Sequence, residues 1–179
     1  YIYLYGNMDM EEKLAFLDEH YLSHFDYLDV DSVIQEQKAF GACRDVTLEY
    51  PVAENEGEED NTYLSYNMVV GNAADSQMAM AFEVLDYALL SAPGAPLKQA
   101  LLDVKAGKDV YGSYDDGILQ PYFTVIAKGS NPDRKEEFVS VIRQVLGDIV
   151  KNGIDRKAVE AGINYFEFRY READFSSYP

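Results

Sequence analysis

The sequence has very little cysteine and few basic residues, and each deficit excludes a class of protein. Cys43 is the only cysteine, so the chain can form no internal disulfide. A single cysteine fits a reducing compartment, and we therefore expect a cytoplasmic protein. Fifteen Lys and Arg stand against 32 Asp and Glu, a net charge of −17. A chain this acidic is repelled by nucleic acid and by anionic membrane surfaces, so we expect neither as a partner. No apolar run approaches the length needed to cross a bilayer.

Histidine is nearly as scarce, which limits the metal sites that the chain can build. His20 and His24 lie four residues apart in a predicted helix, a spacing that lets two imidazoles share one face. The intervening residues Tyr21, Leu22 and Ser23 supply no carboxylate to activate a metal-bound water. We therefore interpret the two histidines as surface residues and predict no metal site in this chain.

Hydrophobic periodicity and turn residues predict alternating strands and helices. Strands are predicted at residues 1–5, 45–52, 63–70, 110–114 and 119–128. Helices are predicted after Asp9, after residues 71–75, at residues 97–102, after Asn131 and after Asp155. Between the second and third strands, residues 54–60 (ENEGEED) read as a solvated hairpin loop. Paired strands followed by helices favour an α+β fold, with a mostly antiparallel sheet covered by helices on one face.

The length and the two ends predict the domain organisation. At 179 residues the chain is long enough for one domain, which we place at residues 1–179. It opens without Met in a strand-like run and closes on SSYP directly after a predicted helix. We therefore expect a fragment of a longer chain.

The most informative pattern lies in the predicted helix that contains Glu83, Asp86 and Tyr87. Residues three or four apart on a helix lie on neighbouring positions of its surface, so these side chains can point the same way. A carboxylate pair can act as acid and base, or it can bind a cation or a free α-ammonium group. A solvated helix face opposite Leu85 and Leu89 explains the same pattern.

Three segments together resemble the insulinase/pitrilysin type of zinc metallopeptidase, in particular the presequence protease subfamily. Residues 1–9 (YIYLYGNMD) are similar to the strand and turn that follow the first domain of that family. Residues 83–102, with an APGAPL core, are similar to a "G-x-x-SPL" segment of the second domain. Residues 164–172 (NYFEFRYRE) resemble the "EF-x-x-RE" helix that ends it. The similarity spans nearly the whole chain.

This resemblance implies a non-catalytic domain of a larger peptidase. In the family, zinc is held by an H-x-x-E-H helix of the first domain, and the second domain of the N-terminal half lacks the metal. Here Glu83 and Tyr87 stand at the histidine positions and Asp86 at the glutamate position, so we expect no catalysis and no cofactor in this chain, with zinc elsewhere in the parent enzyme.

The resemblance also implies a location for substrate contacts and a set of partners. In some relatives the corresponding helix and a nearby strand anchor the substrate N-terminus, and the domain forms part of a chamber wall. The corresponding positions here are Glu83, Asp86, Tyr87, Val110, Tyr111 and Gly112. The expected partners are the peptide substrate and the other domains of the same polypeptide.

Two alternatives remain open at this point. The chain could be a structural domain of a non-peptidase relative in which the metal motif is lost throughout. It could also be an acidic protein–protein interaction module. An H-x-x-E-H motif in the sequence upstream would favour the peptidase.

Overall fold

The computed structural model describes residues 2–53, 55 and 57–172. They form two compact units, within residues 1–35 and within residues 36–179, which we describe separately. Residue 1 of the predicted first strand, Glu54 and Glu56 of the predicted acidic loop, and the chain end at residues 173–179 lie outside the described residues.

The first unit is built around one helix. Helix α1 spans Met10–His20, and the Asp9 side chain accepts a hydrogen bond from the Glu12 backbone N–H at 3.1 Å, which confirms the predicted cap. A 3₁₀ turn follows at Leu22–His24. The strand predicted at residues 1–5 is wrong over residues 2–5, which have no regular structure and are exposed. The other regular elements described in this unit are helical, so the unit offers that segment no strand to pair with.

The second unit contains three strands and four further α-helices among its described residues. In chain order they are β1 (Thr62–Val69), α2 (Ser76–Asp86), α3 (Pro96–Asp103), β2 (Asp109–Asp115), β3 (Tyr122–Ser130), α4 (Lys135–Asn152) and α5 (Arg156–Glu172). A π-helical turn at Tyr87–Ser91 continues α2, and a 3₁₀ turn at Pro132–Arg134 precedes α4. The predicted strands near residues 63–70, 110–114 and 119–128 and the predicted helices of this unit are confirmed, with ends that move by a few residues.

The three strands form an antiparallel sheet in the order β1-β3-β2, so β1 and β2 are its edges. The register aligns rows of side chains across the strands, such as Leu64, Ala127 and Val110 in one row. All three are buried, because this row faces the helices. The neighbouring row, Ser65, Ile126 and Tyr111, lies on the opposite face and is exposed or half-buried.

The core lies between the sheet and the helices. Its fully buried members include Leu97 and Leu101 of α3, Val125 of β3, and Phe138 and Ile142 of α4. Their spacing in α3 and α4 is helical, whereas in β3 alternate residues face the core. The predicted α+β class with an antiparallel sheet is confirmed. None of the helices described is long and apolar enough to cross a membrane.

The strand predicted at residues 45–52 is wrong, because these residues have no regular structure. Val46 and Leu48 are 69% and 83% exposed, so their alternation does not place them on a buried face. The segment is held by side chains instead of a strand ladder. The Lys135 ammonium pairs with Asp45, and the Tyr50 hydroxyl donates to the Asn61 carbonyl. Alternation alone predicts a strand only where a partner strand satisfies the backbone.

Candidate acidic site beside the edge strand

Helix α2 carries the acidic side chains of the candidate site and ends in a π-helical turn. Asp75 caps its start, since its carboxylate accepts a hydrogen bond from the Met78 backbone N–H at 3.0 Å. At the other end the chain widens into the π-helical turn, and Pro96 then begins α3. Sequence periodicity did not predict the π turn, because one widened turn changes the spacing of apolar residues very little. Such turns recur at functional sites.

Asp86, the last residue of α2, points toward the edge strand β2. Its Oδ1 atom is buried, has no hydrogen-bond partner among the described residues, and lies 3.1 Å from the position that a Cβ atom on Gly112 would occupy. Its Oδ2 atom accepts a long hydrogen bond of 3.4 Å from the Ser91 hydroxyl. Burial raises the pKa of the Asp86 carboxyl, and the Ser91 hydrogen bond offsets only part of that effect.

Glu83 lies one turn before Asp86 and contacts the last helix. The Tyr170 hydroxyl of α5 donates a hydrogen bond of 2.9 Å to Glu83 Oε2. Tyr114 of β2 is near enough to feel the same charge. Burial raises the pKa of the Tyr114 hydroxyl, and the negative charges of Asp116 and Glu83 raise it further. Glu83 therefore lies near the end of β2, while Asp86 lies near its middle.

Tyr87 contacts the same helix as Glu83. Its ring stacks on the ring of Tyr165 with centroids 4.9 Å apart. The close approach of α5 depends on Gly162, because a Cβ atom there would lie 3.3 Å from Tyr87 Cδ1 and 3.2 Å from Val84 Cγ1. The three predicted helix residues are thus divided: Glu83 and Tyr87 meet α5, and Asp86 meets β2.

The predicted strand residues lie on β2 as expected, but their side chains differ in access. Val110 is fully buried in the core, so only its backbone lies at the sheet edge. Tyr111 is 39% exposed on the face away from the helices. Gly112 faces the helices and packs against Leu90 and Asp86. The structure therefore brings Asp86 and Gly112 into contact, as a shared site requires, and it turns Tyr111 to the other side of the sheet.

Metal ligands do not gather at this site. His20 is exposed and packs on the Phe16 ring at 4.5 Å, and His24 is exposed in the 3₁₀ turn. Across residues 2–53, 55 and 57–172 there is no group of three or more His, Cys, Asp or Glu side chains that could hold a metal ion. The positions Glu83, Asp86 and Tyr87 supply no imidazole, so this helix does not fit a zinc site.

Two surface grooves lie elsewhere. One, of about 640 Å³, follows the start of α4 and is lined by residues that include Asp45, Lys135 and Arg143. The other, of about 550 Å³, lies where β1 begins, beside Tyr63 and Lys108. Neither of these two grooves is lined by a predicted anchor residue.

An antiparallel sheet covered by helices, with no imidazole at Glu83, Asp86 or Tyr87, defines an α+β domain of the metallopeptidase type. The family described as the Peptidase M16 inactive domain matches residues 1–166. The chain belongs to this family.

Its curated relatives are far longer. Protein HypA of Clostridium perfringens is 44% identical over 179 residues, which are 100% of this chain and 18% of that protein. Presequence protease 1, chloroplastic/mitochondrial, of Arabidopsis thaliana is 30% identical over 182 residues, covering 99% of this chain and 17% of that protein. The mitochondrial presequence protease of Xenopus laevis is 24% identical, with coverages of 97% and 17%. The chain thus spans less than a fifth of the length of these relatives, and the predicted similarity to presequence proteases is confirmed.

A solved structure has the same fold. The inactive peptidase domain of a Bordetella parapertussis protein superposes with a TM-score of 0.53 over 62% of this chain and 60% of that chain. The sequences are 13% identical, so this likeness concerns the fold alone.

Proposed function

We propose that this domain forms part of the wall of a chamber in which a zinc-dependent peptidase degrades peptides, and that it anchors the substrate N-terminus. The zinc and the catalytic residues then lie in other domains of the same polypeptide. Membership of the inactive-domain family and similarity to presequence proteases over almost the whole chain support this proposal. The small share of those relatives that the chain covers leaves room for catalytic domains.

The contact between Asp86 and the edge strand is the observation that carries the anchoring role. A carboxylate oxygen that is buried without a partner destabilises its surroundings until a donor reaches it. The α-ammonium group of a peptide is such a donor, because it carries a positive charge and three N–H groups. Local opening of the π-helical turn next to Asp86 would admit it.

Strand β2 offers the second half of the anchor. As an edge strand it presents backbone donors and acceptors along one side, to which an extended peptide can add as a further strand. Gly112 of this strand lies beside Asp86 of α2. A peptide whose first residue pairs with β2 at Gly112 would therefore have its N-terminus next to the Asp86 carboxylate. Glu83, one helical turn before Asp86, adds negative charge nearer the end of the same strand.

Kinetics of the full-length protein test this proposal. The double variant Glu83→Gln/Asp86→Asn should raise KM for short peptides with a free N-terminus about tenfold, with kcat nearly unchanged, because charge-assisted hydrogen bonds contribute about 1.5–3 kcal/mol. N-acetylated versions of the same peptides should be cleaved equally by both proteins, since they carry no ammonium group.

The matched control is Asp148→Asn, which removes an exposed carboxylate from α4, outside the candidate site. If the double variant and this control give the same KM for free peptides, the anchor does not exist. If the full-length protein cleaves no peptide at all, the domain belongs to a non-peptidase relative, and the chamber role is overturned too.

A further inference from the structure

The last helix, α5, packs along α2, and its contacts with that helix are specific. Gly162 lets α5 approach α2, Tyr165 stacks on Tyr87, and Tyr170 reaches Glu83. Over about two helical turns, from Gly162 to Tyr170, α5 therefore packs along the segment that contains Glu83 and Tyr87. None of these α5 residues belongs to the predicted anchor set.

We infer that Tyr170 is a positioning residue of the peptide anchor: its hydroxyl holds Glu83 Oε2 and so aims Glu83 Oε1 toward the ammonium group. The inference rests on the proposed function of the site. The hydroxyl donates one hydrogen to one carboxylate oxygen at 2.9 Å, which leaves the lone pairs of the other oxygen for a ligand. An unrestrained Glu side chain would have to lose rotamer freedom on binding, and the Tyr170 contact removes part of that cost beforehand.

The hydrogen-bond partner of Glu83 is neutral, which matters for binding an ammonium group. Several carboxylates of the chain pair with a cation, as Asp60 does with Lys108 and Glu167 with Arg171. A cationic partner offsets the negative charge that would attract an ammonium group. Glu83 receives a neutral phenol and, among the described residues, makes no ion pair with a lysine or arginine. The carboxylate is thus oriented while its charge is kept.

Tyr170 is protonated at neutral pH and can therefore donate its hydroxyl hydrogen to Glu83. Burial raises the pKa of the Tyr170 hydroxyl, and its hydrogen bond to Glu83 and the charge of Glu83 raise it further. A tyrosine with a raised pKa is fully protonated at neutral pH and acts as a donor.

Peptide binding to the full-length protein, stripped of metal so that no cleavage occurs, tests the inference directly. The probes are a short peptide with a free N-terminus and a dye at its C-terminus, and the N-acetylated form of the same peptide. Fluorescence anisotropy gives Kd for each. Tyr170→Phe should raise Kd of the free peptide about fivefold and leave Kd of the acetylated peptide unchanged.

Tyr165→Phe is the matched control, because it removes a hydroxyl from the same helix but keeps the ring that stacks on Tyr87. It should leave both dissociation constants unchanged. The double variant Glu83→Gln/Tyr170→Phe should bind the free peptide no more weakly than Glu83→Gln alone, because Tyr170 acts through Glu83. Circular dichroism of each variant confirms that the fold is retained.

The outcomes separate this inference from the proposed function. If Glu83→Gln weakens binding of the free peptide and Tyr170→Phe does not, the anchor stands and the role of Tyr170 is overturned. If Tyr170→Phe weakens both peptides equally, the tyrosine is structural and the inference is also overturned. If no variant of Glu83, Asp86 or Tyr170 changes Kd of the free peptide, the proposed anchor itself fails.

Discussion

Asp86 shows how one residue can be unfavourable for the fold and useful for binding. Its Oδ1 atom is removed from water without a partner, and its pKa is raised for that reason. Groups of this kind are expected where a protein keeps a site ready for a ligand. Substitution of Asp86 therefore tests the site through the stability of the protein.

Asp86→Asn should stabilise the chain at neutral pH. Because burial raises the pKa of Asp86 above its ordinary value of 3.8, the folded chain holds this proton more tightly than the unfolded chain. The contribution of Asp86 to stability is therefore complete below pH 3.8 and is lost as pH rises through the raised pKa. Removing the charge should increase the free energy of unfolding at neutral pH by about 1 kcal/mol and change it little in acid.

Urea unfolding of the two proteins in acid and at neutral pH measures this difference. Asp148→Asn serves again as the control, since that carboxylate is exposed. A variant at position 86 that is less stable than the parent at neutral pH would mean that Asp86 is charged and satisfied in the folded protein, contrary to its orphaned oxygen.

At the scale of elements, the contact of α2 and its π-helical turn with β2 depends on the absence of a side chain at position 112. A Cβ atom on Gly112 would lie 2.2 Å from Leu90 Cδ1 and 2.7 Å from the Thr124 carbonyl oxygen. The Thr124 oxygen is backbone of the central strand and cannot move aside cheaply. Gly112→Ala should therefore separate the turn from the strand and destabilise the chain by about 2 kcal/mol.

Gly147→Ala is the matched control for this substitution. Gly147 lies inside α4, and a Cβ atom there meets nothing within 4 Å. Alanine should stabilise the helix at that position by about 0.5–1 kcal/mol. Thermal unfolding of both variants should thus shift in opposite directions. Equal shifts would show that Gly112 tolerates a side chain and that the packing of Leu90 on β2 is loose.

At the scale of the whole molecule, charge is distributed very unevenly along the chain. Residues 1–97 contain three basic and 19 acidic residues, a net charge of −16, whereas residues 98–179 contain 12 and 13, a net charge of −1. Like charges that are brought together on folding repel one another, and salt screens that repulsion over about 8–10 Å. We therefore expect the unfolding midpoint to rise with sodium chloride concentration.

Calorimetry at low and at physiological ionic strength measures this effect. Replacing Glu11 and Glu12 of α1 by Gln should reduce the salt dependence, whereas replacing Glu136 and Glu137 of α4 should change it less, because the latter pair lies in the nearly neutral part of the chain. Salt dependence that is the same in both variants would mean that the uneven charge has no effect on folding.

Interactions between residues close in the sequence could be predicted from it, whereas contacts between distant residues could not. The cap at Asp9 acts within three residues, so a local pattern predicts it, and it is confirmed. The alternation at residues 45–52 is also local, but a strand exists only with a partner, and this segment has none among the described residues. Glu83 and Asp86 were predicted as a pair, whereas Tyr170 was missed because it lies 87 residues from Glu83.

The sequence alone determined the fold class, most of the helices, the family, and the absence of histidine ligands on α2, since each depends on composition, periodicity or residue identity at given positions. The tertiary structure decided which residues meet. It set Asp86 against Gly112, Glu83 against Tyr170 and Tyr87 against Tyr165, and it turned Tyr111 away. These contacts arise from how helices pack on the sheet and on one another, and packing joins residues that no local pattern connects.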